Sequence, residues 1–123
     1  MSRNRRSNFV PKFEGPIVGF PKTIIPTQKS IRLNDGKLKW SLIDYPSMEP
    51  LIKVMMQGAE KYGIGNWQIG LDLVEIQESA QRHLAAMMNG ELTDLESKEF
   101  HAGHVMANMM MWMYHYNKQK ENV

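Results

Sequence analysis

Two short patterns in this chain place ligand-capable side chains one helical turn apart. They are Glu75-Ile-Gln-Glu78 and His101-Ala-Gly-His104. Residues three apart are neighbours on a helix face, and carboxylates and imidazoles converging from facing helices are how bundles hold metal ions. Glu78, His101 and His104 are therefore candidate ligands of a divalent cation. Glu75 has a second possible use, closing a capping box with Asp72. Arg82 and His83 prolong the first row, and Asn108 lies one turn beyond His104. A cation held by such a set would bridge phosphate oxygens and lower the pKa of a water. Gly103, between the two histidines, has no side chain to crowd a close helix contact. His115 stands alone and reads as a hydrogen-bonded core residue.

A second group lies in Lys61-Tyr62-Gly63-Ile64-Gly65-Asn66-Trp67. Its glycines free the backbone, Lys61 offers an ammonium for a phosphate, and Tyr62 or Trp67 offers a face for a base. The same loop also reads as a C-terminal helix stop, with Trp67 returning to the core.

Three helices are needed to position these residues. The first is expected from near Met48, capped by Ser47, with Leu51, Ile52, Met55, Met56 and Ala59 as its stripe and Gly63 and Gly65 as its stop. Asp72 is expected to cap a second, carried by Val74, Ile76, Ala80, Leu84, Met87 and Met88 to Gly90. Thr93 or Asp94 is expected to cap a third, with Phe100, Val105, Met109, Trp112, Met113 and Tyr116 as its apolar face and Lys118 and Lys120 at its carboxyl end. This third helix carries Met106, Met109, Met110, Met111 and Met113 and is apolar on more than one side. The methionines read as adaptable packing. A helix apolar nearly all round needs neighbours on every side, so a homo-oligomer, dimer or tetramer, is expected.

The chain has 123 residues and no Cys, which suits one domain and excludes disulfides, Cys-ligated zinc and a thiol nucleophile. No apolar run approaches the roughly 18 residues of a membrane span, and the N-terminus lacks a signal-peptide core. A cytoplasmic protein with no membrane partner is expected. Residues 1–39 hold nine Lys/Arg against Glu14 and Asp35, a net charge of +7, whereas residues 40–123 are net −5. Pro11, Pro16, Pro21 and Pro26 recur every five residues. Residues 1–36 are thus expected as a basic, extended arm, and residues 37–123 as an all-α domain. The apolar residues of the arm suit contact with the body or a neighbouring subunit, and Asn34-Asp35-Gly36 reads as a tight turn or small hairpin. Nine basic residues with Phe9, Phe13 and Phe20 interleaved would also suit nucleic acid.

The run Gly58-Ala59-Glu60-Lys61-Tyr62-Gly63, then Asn66-Trp67, Arg82-His83-Leu84, Gly90-Glu91, Asp94, Glu96-Ser97 and His101-x-x-His104 with Asn108, resembles the small phage and prophage dATP/dGTP diphosphohydrolase domain. That family is similar in turn to the all-α MazG-type nucleotide pyrophosphohydrolases. The likeness covers roughly residues 37–118 and implies a MazG-like bundle converting dATP or dGTP to its monophosphate and pyrophosphate. It implies Glu78, Arg82 and His83 as catalytic residues, and Lys61, Tyr62, Asn66, Trp67 and Asn108 as substrate-binding residues. The implied ligands of a divalent metal are Glu75, Glu78, Asp94, His101 and His104. The metal would be Mg²⁺ or Mn²⁺, with Co²⁺, Fe²⁺ or Zn²⁺ suited to imidazole. A phage origin would place the protein in the host cytoplasm. The chain departs from the family at Ser41, where an acidic residue is usual, and at Lys98, where the family tends to have Gly. The rival reading is a non-catalytic helical protein whose arm engages nucleic acid or a protein partner.

Overall fold

A computed structural model describes residues 30–121. The prolines and phenylalanines of the arm, and most of its basic residues, lie outside them. The chain divides into two units, residues 1–46 and 47–123. In the first, the described residues hold a turn closed by Lys37 N–H to the Asn34 carbonyl, 3.2 Å, with Gly36 at φ +79°, and a 3-10 turn at Trp40–Leu42. The expected turn is present. No strands flank it, so it is not a hairpin.

The second unit contains three α-helices, and the described residues contain no β-strand, so the fold is all-α. Helix α1 is Glu49–Tyr62, α2 is Leu73–Met88 and α3 is His101–Glu121. The long α3 packs against both of the others. Met48, rather than Ser47, is the N-cap of α1, because Ser47 falls inside a preceding 3-10 turn, Tyr45–Met48. Pro50 then occupies the first turn, where its missing N–H costs nothing. Leu51, Val54, Met55, Gly58 and Ala59 form the half-buried stripe, while Ile52 and Met56 lie exposed.

Asp72 caps α2 as its sequence suggests, accepting the Val74 N–H at 2.9 Å. The other end closes as a Schellman motif. Gly90 N–H donates to the Met87 carbonyl and Glu91 N–H to that of Ala86, both at 3.0 Å, with Gly90 at φ +94°. The inward face of α2 carries Ile76 and Ala80, with Ser79, His83 and Met87 half-buried beside them, whereas Val74, Leu84 and Met88 are exposed.

Helix α3 departs furthest from expectation. It begins at His101, not beside Thr93 or Asp94. Its packed side is small and polar, with His101, Gly103, Ala107, Asn108 and His115 buried. Much of the apolar face read from the sequence is open instead, Met109 being 42% and Met113 49% exposed. Trp112 closes part of it by stacking on Tyr116, 5.3 Å between centroids, and donating to the Gln77 side chain at 2.9 Å. The bond to α2 and the close approach of Gly103 to Pro50 of α1 set the rotation of α3, and the remaining apolar arc faces outward.

Candidate metal centre

Three separate pieces of chain meet at one end of the α2–α3 pair. His83 comes from the inward face of α2, Asp94 from the α2–α3 loop, and His101 and His104 from the first turn of α3. The loop is tightly closed on itself. Asp94 N–H donates to the Glu99 carbonyl at 2.8 Å, His101 N–H to that of Leu92 at 3.0 Å, and Thr93 bridges Phe100. Within it the Asp94 carboxylate accepts the Ser97 N–H at 2.7 Å and the Asp94 carbonyl accepts the Lys98 N–H at 2.8 Å. Asp94 therefore caps a single closed turn and not a helix. Lys98 ends that turn at φ +66°, a conformation costing a residue with a side chain roughly 1–2 kcal/mol. The backbone here favours Gly, the residue that the family resemblance leads one to expect at this position. From α1, Gln57 ties the loop down through the Ser97 carbonyl at 2.9 Å and the Glu99 carboxylate at 3.3 Å.

Within the cluster, His83 Nδ1 and His101 Nδ1 stand 2.9 Å apart. One ring nitrogen of each and an Asp94 oxygen all lie within 4.8 Å of one another. His104 stacks flat on His83, 4.1 Å between centroids and 4° between planes. Its Nε2 is 2.7 Å from Ser97 Oγ, which already accepts the Glu99 N–H at 3.2 Å. Ser97 Oγ is thus bonded to both the loop backbone and the His104 ring. Asn108 donates to the His104 carbonyl at 2.8 Å and to Ser79 Oγ at 3.2 Å, joining α3 to α2 just behind the histidines.

Burial pushes the His83 imidazole below its usual range, helped by His104, while Asp94 opposes the shift. His104 is lowered for the same first reason, again against Asp94. The Ser97 backbone N–H holds the Asp94 carboxyl below its ordinary value. Neutral imidazoles beside an ionised carboxylate are the protonation states in which these groups bind a cation.

Of the expected ligands, the structure brings together Asp94, His101 and His104, and adds His83. It does not bring Glu75 or Glu78, which are exposed on α2. Five residues at 100° each put Glu78 about 140° around the helix from His83. The row that reaches His83 runs instead through Ile76 and Ser79. Arg82 is exposed next to it. Sequence reasoning missed Ser79, Ser97 and Glu91 as neighbours of the histidines. The Asp94-x-x-Ser97 spacing, suited to a side-chain-capped turn, was the available signal for Ser97.

The Lys61–Trp67 loop lies elsewhere. Lys61, Tyr62 and Asn66 are exposed, with the Lys61 ammonium 5.3 Å from the Tyr62 ring centroid. Trp67 is half-buried and meets Tyr114 edge-on at 5.0 Å and His115 at 6.2 Å. Buried His115 bonds through Nε2 to the Trp67 carbonyl at 2.7 Å, the structural role expected of it. From His104 to His115 is eleven residues, about 16 Å along α3.

Among the described residues no helix is long and apolar enough to cross a membrane. No solved structure is significantly similar to the chain. A dATP/dGTP diphosphohydrolase of Salmonella phage PMBT28 is 32% identical over 80 residues, 65% of this chain. The match spans only 27% of that relative's length. The sequence pattern of the family described as "dATP/dGTP diphosphohydrolase, N-terminal" matches residues 27–123. With that match over most of its length, the chain belongs to the dATP/dGTP diphosphohydrolase N-terminal domain family.

Proposed function

We propose that this chain is a divalent-metal-dependent nucleotide pyrophosphohydrolase that cleaves a purine deoxynucleoside triphosphate to its monophosphate and pyrophosphate. The observation that carries the reading is the convergence of His83, Asp94 and His101 beside His104. The family supplies the substrate class, through a phage relative named for dATP and dGTP. A bound divalent cation would supply positive charge to phosphate oxygens and acidity to a water. The chain's own residues do the rest. Arg82, exposed beside His83, offers a cation to the leaving pyrophosphate. Ser97 and Asn108 fix the ring and backbone of His104, and the Asp94 turn holds its carboxylate at the mouth of the histidine pair.

The test is product analysis with dATP, dGTP, dCTP and dTTP in the presence of Mg²⁺, Mn²⁺, Co²⁺ or Zn²⁺ in turn. Purine monophosphate and pyrophosphate are expected, with His101→Ala reducing turnover at least 100-fold. Diphosphate with inorganic phosphate, or no turnover, would overturn the reading. Nucleotide or nucleic-acid binding without cleavage would favour the non-catalytic rival.

The same reading has copies of the chain associating through the open apolar side of α3, where, among the described residues, Met109 and Met113 lie exposed. Light scattering at micromolar concentration is expected to give a dimer or tetramer. A uniform particle of the 14.2 kDa chain mass would count against association.

A further inference from the structure

We infer that His83, Asp94 and His101 are the complete protein ligand set for one borderline transition-metal ion of the Zn²⁺ or Co²⁺ class, that Glu91 orients it from outside, and that His104 does not ligate. The inference rests on the metal-dependent reading above for its purpose, and on side-chain geometry for its content.

Each ligand comes from a different element, and each is held independently of the ion: His83 by α2, Asp94 by its closed turn, His101 by the start of α3. An imidazole lone pair lies in the plane of its ring. The His83 and His101 rings are inclined at 48° with their Nδ1 atoms 2.9 Å apart, so these two lone pairs converge. Two imidazole nitrogens on one zinc ion stand about 3.3 Å apart, from Zn–N bonds of about 2.0–2.1 Å in tetrahedral geometry. The observed pair needs only a small opening. His104 lies parallel to His83, so its lone pairs run alongside those of His83 and do not meet them, and its Nε2 is engaged by Ser97.

A second observation is independent of the cluster geometry. His101 is 3% exposed, and its Nε2 is buried without a hydrogen-bond partner. The nearest carboxylate is Glu91, 3.8 Å away. When Nδ1 of a histidine binds a metal, Nε2 carries the proton and is usually directed at a carboxylate or carbonyl that fixes the tautomer. Glu91 is the carboxylate that a small side-chain movement would bring into that role, its backbone held by the Schellman turn in which its own N–H is bonded. Two imidazoles and one carboxylate favour borderline ions over Mg²⁺, whose preference is for oxygen donors. Three protein ligands also leave a position open, as catalytic sites do and closed structural sites do not.

The test is ion binding by the full chain after chelator treatment, with no nucleotide present. Titration with Co²⁺, followed by its visible absorption, and calorimetry with Zn²⁺ and Mg²⁺ are expected to show one ion per chain. Zn²⁺ and Co²⁺ should bind at least 100-fold more tightly than Mg²⁺. His83→Ala and His101→Ala should each lose the Co²⁺ absorption band, and Glu91→Gln should weaken binding by about 10- to 100-fold. Should either His variant fail to fold, the wild-type comparison of Co²⁺ with Mg²⁺ still decides. Equal affinity for Mg²⁺ would overturn the inference, as would the absence of saturable Co²⁺ binding or an equal loss from Glu78→Gln. Tight Zn²⁺ binding without nucleotide cleavage would sink only the hydrolase reading. Cleavage with Mg²⁺ and no Zn²⁺ binding would sink only this one.

Discussion

Gly103→Ala is expected to destabilise the protein by about 2 kcal/mol, although alanine is the better helix former. A Cβ at this position would lie 2.5 Å from the Pro50 carbonyl oxygen and 2.8 Å from its carbon. Those are backbone atoms, which cannot rotate aside, so α1 and α3 would have to separate. Overpacking typically costs 1–3 kcal/mol, and a backbone neighbour puts the cost at the top of that range, about 3 kcal/mol. The gain from exchanging Gly for Ala in a helix is about 1 kcal/mol, so the clash wins. Gly58 in α1 is the internal control, since a Cβ there meets nothing within 4 Å. Gly58→Ala should therefore stabilise, by up to about 1 kcal/mol. Urea unfolding of the two variants reads both signs, and a stabilised Gly103→Ala would refute the close approach of α1 and α3.

Trp67→Ala is expected to cost about 3 kcal/mol, the low end for truncating a large aromatic because the ring is half-buried. The loss is of the edge-on contacts with Tyr114 and His115 that seat the α1–α2 loop on α3. The variant also decides whether this ring carries a nucleotide base. A stacking platform would lose roughly 5- to 150-fold in affinity on truncation, the equivalent of 1–3 kcal/mol. The ring packs on His115, which lies eleven residues, about 16 Å, along α3 from His104. The expected result is therefore a lower melting temperature with nucleotide affinity per folded molecule unchanged. Retained stability with a clear loss of purine affinity would restore the platform.

The existence of three helices was legible because their signals are local. Asp72 before an apolar run and Gly90 after it mark the ends of α2, and the structure uses both. The start of α3 was not legible for an equally local reason. Asp94 is a good cap, but the turn it caps ends at Lys98, and neither Gly nor Pro between residues 91 and 100 announces the break. The histidine pair of α3 was recognisable from its spacing, and the need for a small residue at Gly103 followed from its place between them. Which residue of α2 faces that pair was not. Glu78 and Ser79 are adjacent, so a shift of one residue in helical phase exchanges an exposed carboxylate for a half-buried hydroxyl. That phase is set by Ile76 and Ala80 packing on α3. The outward-facing arc of α3 had the same cause, because apolar character alone does not say which of several apolar sides meets the other helices.

The open side of α3 is built largely of thioethers, and this gives it a chemical property that leucines would not have. A methionine sulfur takes up one oxygen atom when a peroxide can reach it, and the sulfoxide formed is polar. Met109 and Met113 are within reach of such an oxidant in a single chain and out of reach wherever another surface lies over them. The pattern of oxidised methionines along α3 is thus a record of what covered the helix, and once oxidised the helix would no longer favour that covering.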